Sequence, residues 1–184
     1  MAIAPHESHQ IAVYAGQGEI VQLATLVRSL AQREDISPGQ ILISCKDDFQ
    51  QTAAHMAAKA GHIRKSCWMF RVKRHFLTMV TGSVETLAEL LSTEENKTVY
   101  FNIANRFSGD RPAHTAMRHG FLGVLRALLA NGADPMAKNR FGDMVVDYLG
   151  DFEPEEVLSV IEEHVGEVVP ELRTRLGLST LRST

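Results

Sequence analysis

The sequence predicts an all-α fold in which short paired helices stack side by side as a solenoid. Three observations carry that expectation. Residues 109–134 run through a turn, two short apolar helical faces and a closing glycine, Gly132. A second, looser copy of the pattern opens at Lys46, and helix-like pairs without the turn flank both copies. Repetition at this length is the signature of a stacked-repeat architecture.

Taken in order, Ser8 to Ala15 and Glu19 to Ala31, separated by Gly16-Gln-Gly18, form a helix pair lacking the turn, as expected of a first unit with one neighbour. The second unit reads Thr52-Ala-Ala-His55-Met-Ala57-Ala58-Lys-Ala60-Gly61, and its second helix resumes from Val84 to Leu91. The best copy spans Asn105 to Lys138. There Pro112 suits a first helical position, while Ala113, Ala116, Val124, Leu125, Leu128 and Leu129 make two apolar faces. Gly120 breaks the first helix, and Gly132 supplies the conformation that closes the second. Asn139 to Leu149 begins a last unit, completed by Pro154 to His164. In that helix Val157, Leu158 and Ile161 face one way and Glu155, Glu156, Glu162 and Glu163 the other. The repeat domain is expected over 7–165, with a tail over 166–184 that is a final amphipathic helix, a partner-binding segment or frayed and disordered.

At 184 residues and 45% hydrophobic content the chain can bury one ordinary core. Cys45 and Cys67 have no paired spacing, no secretory signal is evident near Met1, and no window reaches a membrane span. A soluble protein of the cytoplasm or nucleus is the expectation. Arg64, Lys65, Arg71, Lys73 and Arg74 all fall within 62–82, and setting those five aside takes the net charge from −3 to −8. So acidic a body disfavours nucleic acid and favours a basic protein partner.

Thr52, His55, Ala57 and Gly61 match the pattern Gly-x-Thr-Pro-Leu-His-x-Ala-Ala-x-x-Gly-His, while Gln50, Ala53 and Ala54 depart from it. The chain thereby resembles the ankyrin-repeat family. The resemblance implies an all-α ankyrin solenoid of about four units with degenerate capping repeats, whose role is to bind protein. It also implies that the Thr52 hydroxyl and His55 ring hydrogen-bond around their turn. His114 lacks that partner because Arg111 stands at the threonine position, so the third turn is expected to be weaker. Asp147, in place of histidine, resembles terminal units. Ile36 to Lys46, Tyr100 to Asn105 and Ala133 to Gly142 further resemble small fungal Yar-type ankyrin chaperones, over about residues 10 to 150 apart from 62–82. Those escort a KH-domain ribosomal protein of the small subunit.

Removing the 21 residues 62–82 joins Gly61 to Ser83 as a normal helix-turn-helix, so the segment is an insertion inside the second repeat. Three explanations stay open: a retained intron, a structural insertion, or a contact for nucleic acid or membrane through Trp68, Phe70, Phe76 and the five cations.

No nucleophile elbow, phosphate-cradling glycine loop or His-Glu-x-x-His pair occurs, and the histidines form no ligand cluster. The expectation is a binding protein with no catalytic, cofactor or metal site. Its contacts are expected on the concave face at Asp47, Asp48, Phe49 and Gln51, then Asp110 and Arg111, then Arg140, Phe141 and Asp143. Aromatic anchors among acids suit a basic client whose centre is apolar. A monomeric chaperone or escort is the first functional expectation, and a regulatory adaptor for another intracellular protein is the alternative.

Overall fold

The computed structural model describes residues 3–59, 83–167 and 169–178, and every element among them is helical. The segment 62–82 and residues 179–184, on which the expectations for the insertion and the end of the tail fall, lie outside the described residues.

The first unit pairs α1 (Pro5–Gln17) with α2 (Ile20–Glu34). Pro5 sits in the first turn of α1, where a missing N–H costs nothing, and the Glu7 carboxylate accepts the Ala4 amide at 2.9 Å. In α2, Leu23, Val27, Leu30 and Ala31 recur at helical spacing and are all buried. The Arg33 guanidinium forks onto Glu7 at 2.6 and 3.0 Å, tying the pair together and holding the Glu7 carboxyl down at about 2.

The second unit comprises α4 (Ala53–Lys59) and the helical stretch 83–91, here α5, which buries Val84, Leu87, Ala88, Leu90 and Leu91. In the third, α7 (Pro112–Arg118) turns back through Gly120, at φ 76°, into α8 (Leu122–Ala130). The fourth has only a 3-10 turn, Val145–Asp147, before α9 (Pro154–Val165). Gly150, at positive φ, and Pro154 cut the expected inner helix to that single turn.

Helices α1, α4 and α7 pack in sequence, with the 3-10 turn against α7. Their contact faces are small: Ala15 on α1, Ala53, Ala54, Ala57 and Ala58 on α4, Ala113 and Ala116 on α7, all buried. Alanine lets neighbouring axes approach closely, so the inner row is tight. The outer helices carry the bulk, with Val124, Leu125, Leu128 and Leu129 of α8 facing Val157 and Ile161 of α9 within one core.

Two connections between the repeat helices hold helices of their own. The stretch Ile36 to Lys46 contains α3 (Pro38–Ser44), opened by a capping box in which Ser37 Oγ accepts the Gln40 amide and Gln40 Oε1 accepts the Ser37 amide. The connection ending in Tyr100 and Phe101 is α6 (Glu94–Phe101), capped by Thr93. They occupy the same place in successive units and pack on each other. Tyr100 and Phe101 are fully buried, edge to face with ring centroids 5.4 Å apart.

The tail is not frayed through its first part. Helix α10 (Pro170–Arg175) buries Leu172, and Arg173 forks onto Glu162 of α9 at 2.9 and 2.6 Å. This short helix takes the place of a further repeat and covers the open end of the stack.

Candidate functional site

Three loops project where one unit passes to the next, and each is built around one side chain. Asp47 Oδ1 accepts the amides of Phe49 at 2.9 Å and Gln51 at 2.7 Å. Asn105 Oδ1 accepts those of Phe107, Ser108 and Gly109 at 3.1, 3.0 and 3.2 Å. Asn139 Oδ1 accepts those of Phe141 and Asp143, both at 2.9 Å. An Asx side chain that gathers the amides two to four residues ahead folds the backbone into a finger without help from any helix. The fingers are also stitched together, because the Arg106 amide donates to the Phe49 carbonyl at 2.8 Å and the Arg140 amide to the Ser108 carbonyl at 2.9 Å.

Two residues past each anchor stands a phenylalanine. Phe49, Phe107 and Phe141 are 46%, 66% and 74% exposed, among the few large apolar side chains left in water. The Phe49 and Phe107 rings already touch, with centroids 5.2 Å apart. Beneath the fingers a shallow groove of about 220 Å³ runs along α4 and α7, lined by Gln51, Lys59, Phe107, Thr115, Arg118 and His119.

Buried histidines fix the fingers to the helices. His55 Nδ1 accepts the Thr52 amide at 3.2 Å and faces the Thr52 hydroxyl at 3.0 Å. An acceptor Nδ1 leaves the proton on Nε2, which donates to the Asp110 carbonyl of the next finger at 3.0 Å. Burial of this neutral ring drives its pKa down to about 4, outweighing the Asp110 carbonyl, which favours the charged form. His114 repeats the rung, accepting the Arg111 amide at 3.3 Å and reaching the Asp143 carbonyl at 3.2 Å. Its pKa is also lowered, first by burial. The expectation that His114 has lost its partner therefore holds only for the hydroxyl, since the amide arm survives substitution of the threonine. In the last unit Asp147 Oδ2 takes the same post, accepting the Met144 amide at 2.6 Å. Arg175 from α10 forks onto Asp147, both arms at 2.6 Å, and reaches the Gly142 carbonyl at 3.0 Å, standing in for the finger of a next repeat. Burial opposes ionisation of Asp147, but this fork and the Met144 amide prevail and its pKa is lowered.

Residues 108–140 match the family model for the ankyrin repeat. No curated protein sequence matches the chain. Among solved structures, a chain in the crystal structure of the yeast ribosomal protein Rps3 in complex with its chaperone Yar1 superposes with a TM-score of 0.59 at 23% identity. The likeness covers 84% of this chain and 90% of that one. The chain has the fold of an ankyrin-repeat solenoid. At that identity the structural likeness speaks for the fold, and ankyrin repeats are protein-binding scaffolds.

On the ankyrin framework the residues expected to touch a client separate into two groups. Asp48, Phe49, Arg140 and Phe141 are exposed at the fingertips, and Gln51 borders the groove. Arg111 is half-buried and paired with Asp134 at 3.3 Å. Asp47 and Asp143 are half-buried, the first holding its own turn and the second accepting the Tyr148 hydroxyl at 2.8 Å. Asp110 is not exposed, as a contact residue was expected to be. It is buried at the edge of the groove, its carboxylate bonded to Arg118 at 2.8 Å and to Asn139 Nδ2 at 2.9 Å, so it locks two fingers together. Arg118 lies over the Tyr148 ring at 4.6 Å and donates to its hydroxyl, extending the lock into the fourth unit.

Reading the sequence missed Phe107 and Arg106, which hold the same positions as Phe141 and Arg140. The signal was present as Asn105-Arg-Phe107 and Asn139-Arg-Phe141, spaced one repeat apart, with Asp47-Asp-Phe49 as the first copy. The charges also fall differently from expectation. Lys46, Arg106 and Arg140 are exposed along the fingers against Asp48, whereas Glu155, Glu156 and Glu163 are exposed on the outer helix α9. No helix among the described residues is long and apolar enough to cross a membrane.

Proposed function

We propose that this ankyrin solenoid escorts a protein client, gripping an apolar part of it with the fingertip phenylalanines until the client reaches its destination in the cytoplasm or nucleus. One observation carries the proposal: Phe49, Phe107 and Phe141 occupy the same position in successive fingers and all remain exposed. A row of aromatics with apolar area and few rotatable bonds, on loops held rigid by Asx anchors and histidine rungs, is the composition of a binding hot spot. A ribosomal protein of the small subunit is the client we favour. The sequence resemblance points to one, and the yeast structure of similar fold is a complex of a ribosomal protein with its chaperone. The acids on the outer helix α9 would then attract the cationic bulk of such a client while the fingers cover its apolar segment.

Light scattering of a purified small-subunit KH-domain ribosomal protein at physiological salt tests this directly. An equimolar amount of the chain suppresses aggregation, and the double variant Phe107→Ala, Phe141→Ala loses that effect while retaining its thermal midpoint. Suppression that is absent, or indifferent to both substitutions, sinks the proposal.

A further inference from the structure

We infer that the finger row accepts an extended client segment that places acidic residues opposite the second and third fingers, three residues apart, with apolar side chains between them and no acid opposite the first. The inference rests on the proposal that the fingers hold the client and specifies what they hold.

Charge comes first. Arg106 and Arg140 immediately precede the fingertip phenylalanines of the second and third fingers. Among the described residues the side chain of Arg106 makes no hydrogen bond or ion pair, and that of Arg140 reaches only the Phe107 carbonyl at a weak 3.4 Å. At the equivalent position of the first finger stands Asp48, also exposed. At the position before each phenylalanine the row therefore reads acid, base, base, with exposed Lys46 two residues before Asp48 in the first finger. Nearby carboxylates do not cancel the two arginines: Asp110 is bonded to Arg118, Asp134 to Arg111, and Asp143 to Tyr148. A partner matched to this row carries the complementary order, a cationic or neutral residue followed by two acids.

Spacing comes second. Each finger is a folded-back loop contributing two backbone passes, and successive fingers are joined by the Phe49–Arg106 and Ser108–Arg140 main-chain hydrogen bonds. Two passes at about 4.8 Å each set the fingers roughly 10 Å apart. A polyproline-II segment advances about 3.1 Å per residue with three residues per turn, so one turn bridges one finger to the next and every third side chain faces the row. The complementary segment is thus Lys-x-x-Glu-x-x-Glu, or its reverse, with leucine-like residues at the x positions to meet the rings.

Fluorescence anisotropy of the full chain with two labelled peptides separates the possibilities. One peptide has the order Lys-x-x-Glu-x-x-Glu, the other Glu-x-x-Lys-x-x-Lys, with leucine and serine at x. The first is expected to bind about tenfold more tightly at low salt, with the difference shrinking as salt is added. The variant Arg106→Glu, Arg140→Glu is expected to reverse the order of preference while circular dichroism stays unchanged. Equal binding of the two peptides, a preference for the second, or indifference to the arginine substitutions overturns the inference. If neither peptide binds but the phenylalanine variants still abolish suppression of client aggregation, the charge pattern is wrong and the escort function stands. If the phenylalanine variants leave both readouts unaltered, the finger surface is not the binding site and both fall.

Discussion

Acidification should unfasten the fingers through His55. Between its ordinary value of 6.5 and about 4 in the fold lies a proton that the unfolded chain takes up and the native ring refuses. The refusal has a geometric cause. Protonating Nδ1 would turn the acceptor of the Thr52 amide into a donor pointing at a donor, inside a buried site. Because the folded pKa is the lower one, this contribution to stability is complete above pH 6.5 and declines as pH falls towards 4. At ~1.4 kcal/mol per tenfold difference in proton affinity, the loss across that interval is ~3 kcal/mol, a substantial share of the 5–15 kcal/mol typical of a domain. His114 adds to it in the same direction. Urea unfolding midpoints followed across the interval at constant ionic strength measure the effect. The comparison is with His55→Gln, whose amide can accept from Thr52 and donate to Asp110 without titrating. The variant should show a pH profile flatter by ~3 kcal/mol. Parallel profiles for the two proteins would refute the argument, since the acid sensitivity would then arise elsewhere.

Other substitutions test the supporting structure. Gly109 sits at φ 70°, and a Cβ there would lie 2.8 Å from Arg140 Cγ and 3.0 Å from its amide nitrogen, so Gly109→Ala should cost at least about 1–2 kcal/mol in thermal or urea unfolding. Leu172 is fully buried although it belongs to the tail, and Leu172→Ala should destabilise the C-terminal end by about 2–5 kcal/mol; a shift below about 0.5 kcal/mol would show that α10 does not cap the stack. Arg111→Thr restores the hydroxyl that His55 has and His114 lacks, at the expense only of a partly exposed pair with Asp134. It should therefore stabilise by about 0.5–1.5 kcal/mol, visible as a rise in Tm of a few degrees.

Much of the framework was legible in the residues alone. Gly120 and Gly132 marked where α7 and α8 end, Pro112 marked where α7 begins, and Thr52 with His55 announced the turn they close. These are short-range matters, decided by backbone conformations and hydrogen bonds within a few residues of sequence, so a local pattern suffices. The helices α3 and α6 were harder to see. Seven and eight residues are too few to show a clear periodicity, and both depend on a cap and on tertiary packing, α3 chiefly against α2 and also against α6.

What the sequence determined by itself was the repeat, its turn chemistry and the acidic balance outside 62–82. Which carboxylates face a partner was decided only in three dimensions. Asp47, Asp48, Asp110 and Asp143 look alike in the chain, yet one holds its own turn, one is exposed, one is buried against Arg118 and one accepts from Tyr148. Stacking brings residues 29 apart, such as Asp110 and Asn139, to hydrogen-bonding distance, and no window of sequence contains both partners and their surroundings. The same stacking aligns Phe49, Phe107 and Phe141 along one edge, because each finger takes its position from the unit beside it.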